Sequence, residues 1–438
     1  MNPDAYPRIR AVDFLKRQPE YELMFFWYQG GRVILGVNDE AAAIVSTCDG
    51  RTSMSAIVER LAQRYGDTPD NVAPKVSRFL DRMTGLGLLT WESSPALSPV
   101  RVVGTTEYWT PEAVVLELTQ RCPLSCVHCY AEAGKGPSMD YDALRKIMGH
   151  LVTDIGLRVV ELTGGEPMLY SRLYEVVDYL MSNGVETHVA TSGMVLNDQA
   201  RRVLGRLASP QGLVQISVDG LQSTHNSIRG HPQAFGRAMR FMDCALGLHV
   251  QVDTATALID QPESEIVRLC ALLRDKGVRR ARFGPVSRQG RAQQLTGREM
   301  WSADRARLLR ADLQRRYNTD HFTVESLEDA RDAPPWRTCG AGTRLLVIGP
   351  TLRVRPCPMM SLTVGDLRTD SLESILLTSN RLFAGMRPPE PDTCRDCPLE
   401  SACHGCVAEG RINAARVPEC PWAHASGLKP THAGASPS

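Results

Sequence analysis

The chain has 438 residues, room for two to four domains at roughly 100 to 200 residues each, and 43% hydrophobic with 23% charged residues excludes a fibrous or largely disordered protein. Fifty basic and 49 acidic side chains leave a formal charge of +1, so no global field draws the chain to nucleic acid or to an anionic membrane. No run approaches the roughly 18 apolar residues of a membrane span, and the N-terminus lacks the apolar stretch of a signal peptide, so we expect a cytoplasmic protein with neither membrane nor nucleic-acid partner.

Residues 1–91 form a first domain. Residues 21–37, YELMFFWYQGGRVILGV, read as two strands around a Gly30-Gly31 turn, and helical apolar periods follow near 39–47, 54–65 and 71–87. Residues 92–110 mix Ser, Pro, Gly and Thr without a helical or strand period and read as a linker. From residue 113, short runs rich in Val, Ile and Leu alternate with amphipathic segments, as doubly covered parallel strands and their crossover helices require. The strand runs are Val114 to Leu118, Val159 to Thr163, Glu186 to Thr191, Val214 to Val218, Val250 to Ala257 and Ala281 to Val286. Leu173, Val176, Val177, Leu180 and Met181 mark the clearest helix, with Gly184 placed to end it. Six such pairs over 111–310 predict an α/β fold, either a partial barrel or an open doubly wound sheet, with function in the loops after the strands' C-terminal ends. Residues 311–425 carry most of the cysteines, and the tail 426–438 reads as disordered.

In a reducing compartment, thirteen cysteines point to metal ligands, catalytic thiols or buried apolar residues rather than disulfides. Cys122, Cys126 and Cys129 lie in the loop directly after the first barrel strand. Four thiolates saturate a 4Fe-4S cluster, whereas three leave one iron open to an exogenous ligand. A zinc site or a coincidence of buried thiols is the alternative. This CxxxCxxC resembles the cluster motif of radical S-adenosylmethionine (SAM) enzymes, and the resemblance spans the barrel. Thr163-Gly164-Gly165-Glu166-Pro167 is similar to that family's GGEP segment, which holds the SAM amino group. Thr191-Ser192-Gly193 resembles its T-N-G, and Ser217-Val218-Asp219-Gly220 its S-x-D-G. By the same resemblance Tyr130 belongs to the SAM site, and Arg229 is suited to the methionyl carboxylate. The sequence departs from the family at His225-Asn226, where relatives have His-Asp, and at His128, where an aromatic is usual. The resemblance implies a 4Fe-4S cluster and SAM as cofactors, an external electron donor of the flavodoxin or ferredoxin type, and hydrogen abstraction by a 5'-deoxyadenosyl radical.

Toward the C-terminus come Cys339, Cys357, Cys394, Cys397, Cys403, Cys406 and Cys420. From spacing, Cys394, Cys397, Cys403 and Cys406 also satisfy a four-cysteine zinc site. The arrangement resembles the SPASM extension of radical SAM enzymes. That resemblance implies two auxiliary 4Fe-4S clusters, one on Cys394, Cys397, Cys403 and Cys420 and a nearer one on Cys339, Cys357 and Cys406 with an iron left open. The family's hairpin glycine is Leu352 in this chain, with Gly349-Pro350 able to move the turn upstream. Cys48, Cys244 and Cys270 read as small buried hydrophobes.

The stretches 37–66 and 76–91 resemble PqqD-like proteins, the recognition elements that bind leader peptides of ribosomally made precursors. The resemblance implies a small winged-helix-like domain that takes an extended peptide onto a strand edge, here Arg32 to Val37 beside the helix around Val76 to Met83. A docking or dimerisation domain is the plainer alternative. Together these motifs lead to a radical SAM/SPASM enzyme that modifies a precursor peptide by thioether, carbon-carbon or oxidative chemistry. Tetrapyrrole or other cofactor chemistry, and a non-catalytic iron-sulfur carrier or peptide chaperone, are the other readings.

Overall fold

The structure, a computed structural model, describes residues 3–426 apart from 11, 29–30, 98, 296–299, 326–339, 388, 391–392, 398, 400–402, 404–405, 415 and 418. The chain divides into two compact units, Met1–Thr110 with Thr153–Gly156, and the remainder.

In the first unit, β1 (Tyr6–Ile9), β2 (Val12–Arg17), β3 (Glu22–Tyr28) and β4 (Gly31–Val37) precede α1 (Asp39–Thr47), α2 (Met54–Tyr65) and α3 (Pro69–Gly85). Local chemistry sets the helix ends. Asn38 and Ser53 accept hydrogen bonds from the Ala41 and Ala56 amides, and α2 stops at Gly66 in the left-handed region. The helices bury Ile57, Leu61, Val76 and Leu80 in one core with Leu15, Met24 and Phe26 of the strands. Two strands then follow, β5 (Leu89–Glu92) on β1 and β6 (Val102–Gly104), parallel to β2. The segment that reads as an aperiodic linker therefore contributes a strand; three residues are too few to show a period. The sheet order is β4-β3-β2-β6, so β4 is a terminal strand, as expected of Arg32 to Val37.

The second unit contains one ten-stranded sheet. Its six central strands are β7 (Ala113–Thr119), β8 (Val159–Gly164), β9 (Glu186–Thr191), β10 (Gly212–Ser217), β11 (Gln251–Leu258) and β12 (Arg280–Pro285). All are parallel neighbours in sequence order, with the intervening helices that six βα repeats require. Two strands the sequence does not announce extend them: β13 (Thr323–Glu325) beyond β12 and β14 (Leu345–Ile348) beside β7, followed by antiparallel β15 (Arg353–Arg355) and β16 (Gly365–Asp366). One face packs on helices through fully buried Val160, Leu162, Val189, Val214, Ile216 and Ala281. The other face curls on itself. A flat sheet separates β8 from β12 by about 19 Å at roughly 4.8 Å per strand, yet the charge of Arg282 on β12 acts on Glu161 of β8. This is a mixed α/β partial barrel, the predicted class.

Candidate active site

The loop after β7 carries Cys122, Cys126 and Cys129, and three other segments grip its backbone. At the end of β8 the Gly165 and Glu166 amides donate to the carbonyls of Thr119 and Arg121 at 2.6 and 2.8 Å. A Cβ on Gly164 would sit 2.4 Å from the Thr119 oxygen and one on Gly165 2.3 Å from that of Arg121. These glycines thus permit a close contact between backbones. The end of α4 (Gln222–Arg229) takes the Ser125 and Val127 amides on the carbonyls of Arg229 and Ile228. The turn after β12 completes the grip: the Arg291 amide donates to the Cys129 carbonyl at 3.1 Å, Nε to the Cys126 carbonyl at 2.8 Å and Nη1 to the Ala133 carbonyl at 3.0 Å. Gly290, at φ +50°, makes room for it, since a Cβ there would meet the Cys129 and Tyr130 carbonyls at 2.5 Å. Arg291 carries no motif the sequence reading uses; the only trace is a Gly-Arg pair just after a strand.

Cys126 is buried and its partners half-buried, against Leu124, Met194 and Ala234. Burial pushes the Cys122 thiol up to about 12, with Glu166, Cys126 and Cys129 adding to it. Burial likewise raises Cys126, opposed by Arg229, whose Nη1 lies 3.7 Å from the sulfur. Such thiols ionise when a metal takes the proton's place. No three or more Cys, His, Asp or Glu among the described residues converge closely enough for a single ion. In a cubane each thiolate holds a different iron, so three soft donors around a pocket, unlike one tight cage, fit that group.

The predicted motifs meet around this loop. Glu166 is fully buried, and its carboxylate accepts from Thr191 Oγ1 at 2.6 Å, the Ser192 amide at 3.0 Å and Ser192 Oγ. It therefore braces the end of β9 against that of β8, and its oxygens are engaged. Pro167 follows it into a 3-10 turn. Ser217 ends β10 half-buried. Asp219 is fully buried: Oδ1 accepts from the Ala257 amide at 2.9 Å, and Oδ2 lies 2.6 Å from Arg229 Nε. Arg229 thus spans Asp219 and Cys126 from inside. Burial favours the neutral form of Asp219, but Arg229, His128 and His225 hold its pKa below the usual value. His128, third in the CxHC segment, is half-buried with Oδ2 of Asp219 at 4.0 Å, and desolvation lowers its pKa to about 4. Burial and the charges of Glu117 and Glu161 raise the pKa of Tyr130, which follows Cys129 in the loop.

In the C-terminal part, burial raises the Cys403 thiol to about 11 and the charges of Cys394, Cys397 and Cys420 add to it, so these four share one neighbourhood. Asn413 Nδ2 lies 3.6 Å from the Cys403 sulfur. The Cys406 amide donates to the Cys403 carbonyl, and Cys357 is buried just after β15. Cys339 lies outside the described residues, as does the tail beyond Ser426. Leu352 takes the left-handed conformation, φ +66°, at the turn from β14 to β15, so leucine occupies the glycine position and the turn does not move upstream. Cys48 and Cys270 are fully buried, whereas Cys244 is half-buried beside Arg201.

A barrel that clamps a loop of three soft ligands at the C-terminal ends of its strands is the scaffold of a metallocluster enzyme. Comparison defines it further. Residues 116–273 match the Radical SAM superfamily and residues 27–89 match coenzyme PQQ synthesis protein D (PqqD). The chain is 23% identical over 407 residues to the antilisterial bacteriocin subtilosin biosynthesis protein AlbA of Bacillus subtilis, covering 89% of this chain and 88% of that protein. It is 26% identical over 322 residues to the AdoMet-dependent heme synthase of Oleidesulfovibrio alaskensis, covering 68% and 82%. Its fold is similar to that of Streptococcus suis SuiB bound to precursor peptide SuiA, with TM-score 0.65, 13% identity, and 95% and 98% of the two chains covered. The protein is a radical SAM enzyme with a PqqD-like recognition element, and that family implies a 4Fe-4S cluster and SAM. No helix among the described residues is long and apolar enough to cross a membrane.

Proposed function

We propose that the chain modifies a ribosomally made precursor peptide by radical SAM chemistry, recruiting the peptide through its first unit. The observation that carries this reading is the presence, in one chain, of a clamped three-cysteine loop and a PqqD-like unit whose sheet ends in β4. An extended leader segment adds to β4 as a further strand beside α3, where backbone hydrogen bonds supply affinity and side-chain pockets supply choice. When bound, the 4Fe-4S cluster and SAM supply a hydrogen-abstracting 5'-deoxyadenosyl radical. The protein's part is placement. Cys122, Cys126 and Cys129 hold the cluster; the backbone from Gly164 to Pro167 with Thr191, Ser192, Ser217, Asp219 and Arg229 bounds the SAM site, the last two by fixing Cys126 from behind. The inner barrel face holds the peptide residue and excludes water.

Cys394, Cys397, Cys403 and Cys420 hold one auxiliary cluster of a SPASM-type extension, and Cys357 and Cys406 with Cys339 a second. An external flavodoxin or ferredoxin supplies electrons. Heme-type chemistry is the second reading, favoured by the heme-synthase relative; that alignment takes in 68% of this chain, whereas the 89% shared with AlbA necessarily includes part of the first unit. The test is anaerobic reconstitution of the full chain with each short peptide encoded beside its gene. Release of 5'-deoxyadenosine with a mass change in one peptide supports the proposal. Release that needs a tetrapyrrole instead overturns the peptide reading.

A further inference from the structure

The inner face of the barrel mixes small and charged side chains. Parallel register puts Thr163, Ala190, Ser217, Ala255, Ala257 and Gly284 on it together with Glu117 of β7, Glu161 of β8, Glu186 and His188 of β9, Asp253 of β11, Arg280 and Arg282 of β12 and Glu325 of β13. Glu117 stands level with Thr163 and Arg282 with Ala255, whereas Glu161 lies one inward-facing position deeper on β8, beside Val115 and His188.

Each acid of that face has a cationic partner except one. Glu117 pairs with Arg355 at 2.5 Å, and Glu186 bonds His188 at 2.8 Å. Asp253 lies within 3.1 Å of both Arg279 and Arg280, and Glu325 is 2.7 Å from Arg280. Glu161 has neither a hydrogen bond nor an ion pair among the described residues. Its register neighbours are Val115, which has no polar group, and His188, already engaged by Glu186. Arg282 is within electrostatic reach, but its guanidinium bonds Gln215 at 3.1 Å and faces Asp253. A carboxylate with no partner in a recessed site is costly, and the face's own cations are committed elsewhere. Glu161 also stands three residues, about 10 Å along the strand, from Gly164 at the rim. A cationic side chain entering from the rim passes Thr163 on the way to Glu161, and Tyr130 lies within electrostatic reach of the same carboxyl.

We propose that Glu161 is the barrel's acceptor for a cationic side chain of the substrate, a lysine ammonium or an arginine guanidinium, and so selects which peptide residue is presented to the radical. Burial already raises the Glu161 pKa, with His188 and Arg282 opposing; an arriving cation restores the charged form and gains from doing so. This inference rests on the peptide reading above.

The test uses the reconstituted full chain and the precursor peptide that it turns over. Glu161→Gln and Glu161→Asp are compared with the unaltered chain, and each Lys and Arg of the peptide is replaced singly by Gln. The expected result is a KM for the peptide at least tenfold higher in Glu161→Gln and partly recovered in Glu161→Asp. One peptide cation should weaken binding by a similar factor in the unaltered chain and have no further effect in Glu161→Gln. An unchanged KM, the absence of any coupled cation, or a modified peptide lacking Lys and Arg overturns the assignment. So does a Glu161→Gln protein with diminished iron or SAM affinity, which would place the residue's role at the cluster. If the unaltered chain modifies no peptide at all, the peptide reading fails instead, and that outcome is visible before any variant is made.

Discussion

Arg291 Nε lies 2.8 Å from the carbonyl oxygen of Cys126, a contact across 165 positions of sequence. With the bonds to Ala133 and Cys129, it fixes the conformation of the cysteine loop from the far side of the barrel. Arg291→Gln removes two charge-assisted bonds of about 1.5–3 kcal/mol each at most. We predict that this variant loses up to one cluster's complement, about four iron atoms, while its far-UV circular dichroism matches that of the unaltered apo-protein. Iron and sulfide analysis after reconstitution checks it, and full iron content contradicts it.

The glycine pair at the end of β8 is predicted to be intolerant of any side chain. In Gly165→Ala the new methyl, fixed rigidly to its own backbone, falls 2.3 Å from the backbone carbonyl of Arg121, so one strand end must move. A cost of about 1–3 kcal/mol is expected, of the size seen for overpacked cores. Urea unfolding of the apo-protein measures it.

Asp219 and Arg229 form a buried pair, and breaking one member leaves the other charge uncompensated. Asp219→Asn should therefore destabilise the barrel by about 3–5 kcal/mol. The pair also carries a pH signature. Because the Asp219 pKa is depressed in the folded chain, its contribution is present above the ordinary carboxylate pKa and is lost as the pH falls through the lowered value. The variant should lack that acid-side loss; an unaltered stability profile below pH 4 would contradict the assignment.

His225 gives a second window. It is 1% exposed, its Nδ1 accepts the Asp219 amide at 3.0 Å, and burial lowers its pKa to about 4. The folded chain then binds fewer protons than the unfolded chain between pH 4 and about 6.5, so stability falls as the solution is acidified through that range, by up to about 3 kcal/mol. In His225→Gln the slope of stability against pH should flatten there, as thermal unfolding in a pH series would show.

Leu352 holds a left-handed backbone at the β14–β15 turn, a conformation that costs a non-glycine residue about 1–2 kcal/mol. Leu352→Gly relieves it but adds freedom to the unfolded chain, so a net gain of at most about 1 kcal/mol is expected. A loss larger than that would mean that the leucine side chain contributes packing the strain does not reveal.

Much of this architecture is legible from residue order because the barrel strands bury one face under helices and carry mainly Val, Leu, Ile or Ala at the positions that face them. Val159 to Thr163 and Glu186 to Thr191 appear where their composition puts them. The short strands escape: Val102–Gly104 and Leu345–Ile348 are placed by their neighbours, with too few residues to show a period. The cysteine loop and the motifs at the strand ends are local patterns and so can be read directly. What holds them is not local. Arg291, the Asp219–Arg229 pair and the lone Glu161 acquire meaning only when strands distant in sequence share one face, and no spacing rule announces that. Glu166 also braces the end of β9 against that of β8, a duty its motif does not announce.

The most direct test of the central claim is the product of SAM in an anaerobic reaction of the reconstituted, reduced chain, compared with Cys126→Ala. The account predicts 5'-deoxyadenosine from the unaltered protein and none from the variant, with iron on the C-terminal cysteines retained. Equal nucleoside release from both proteins, or none from either despite full iron loading, would contradict it.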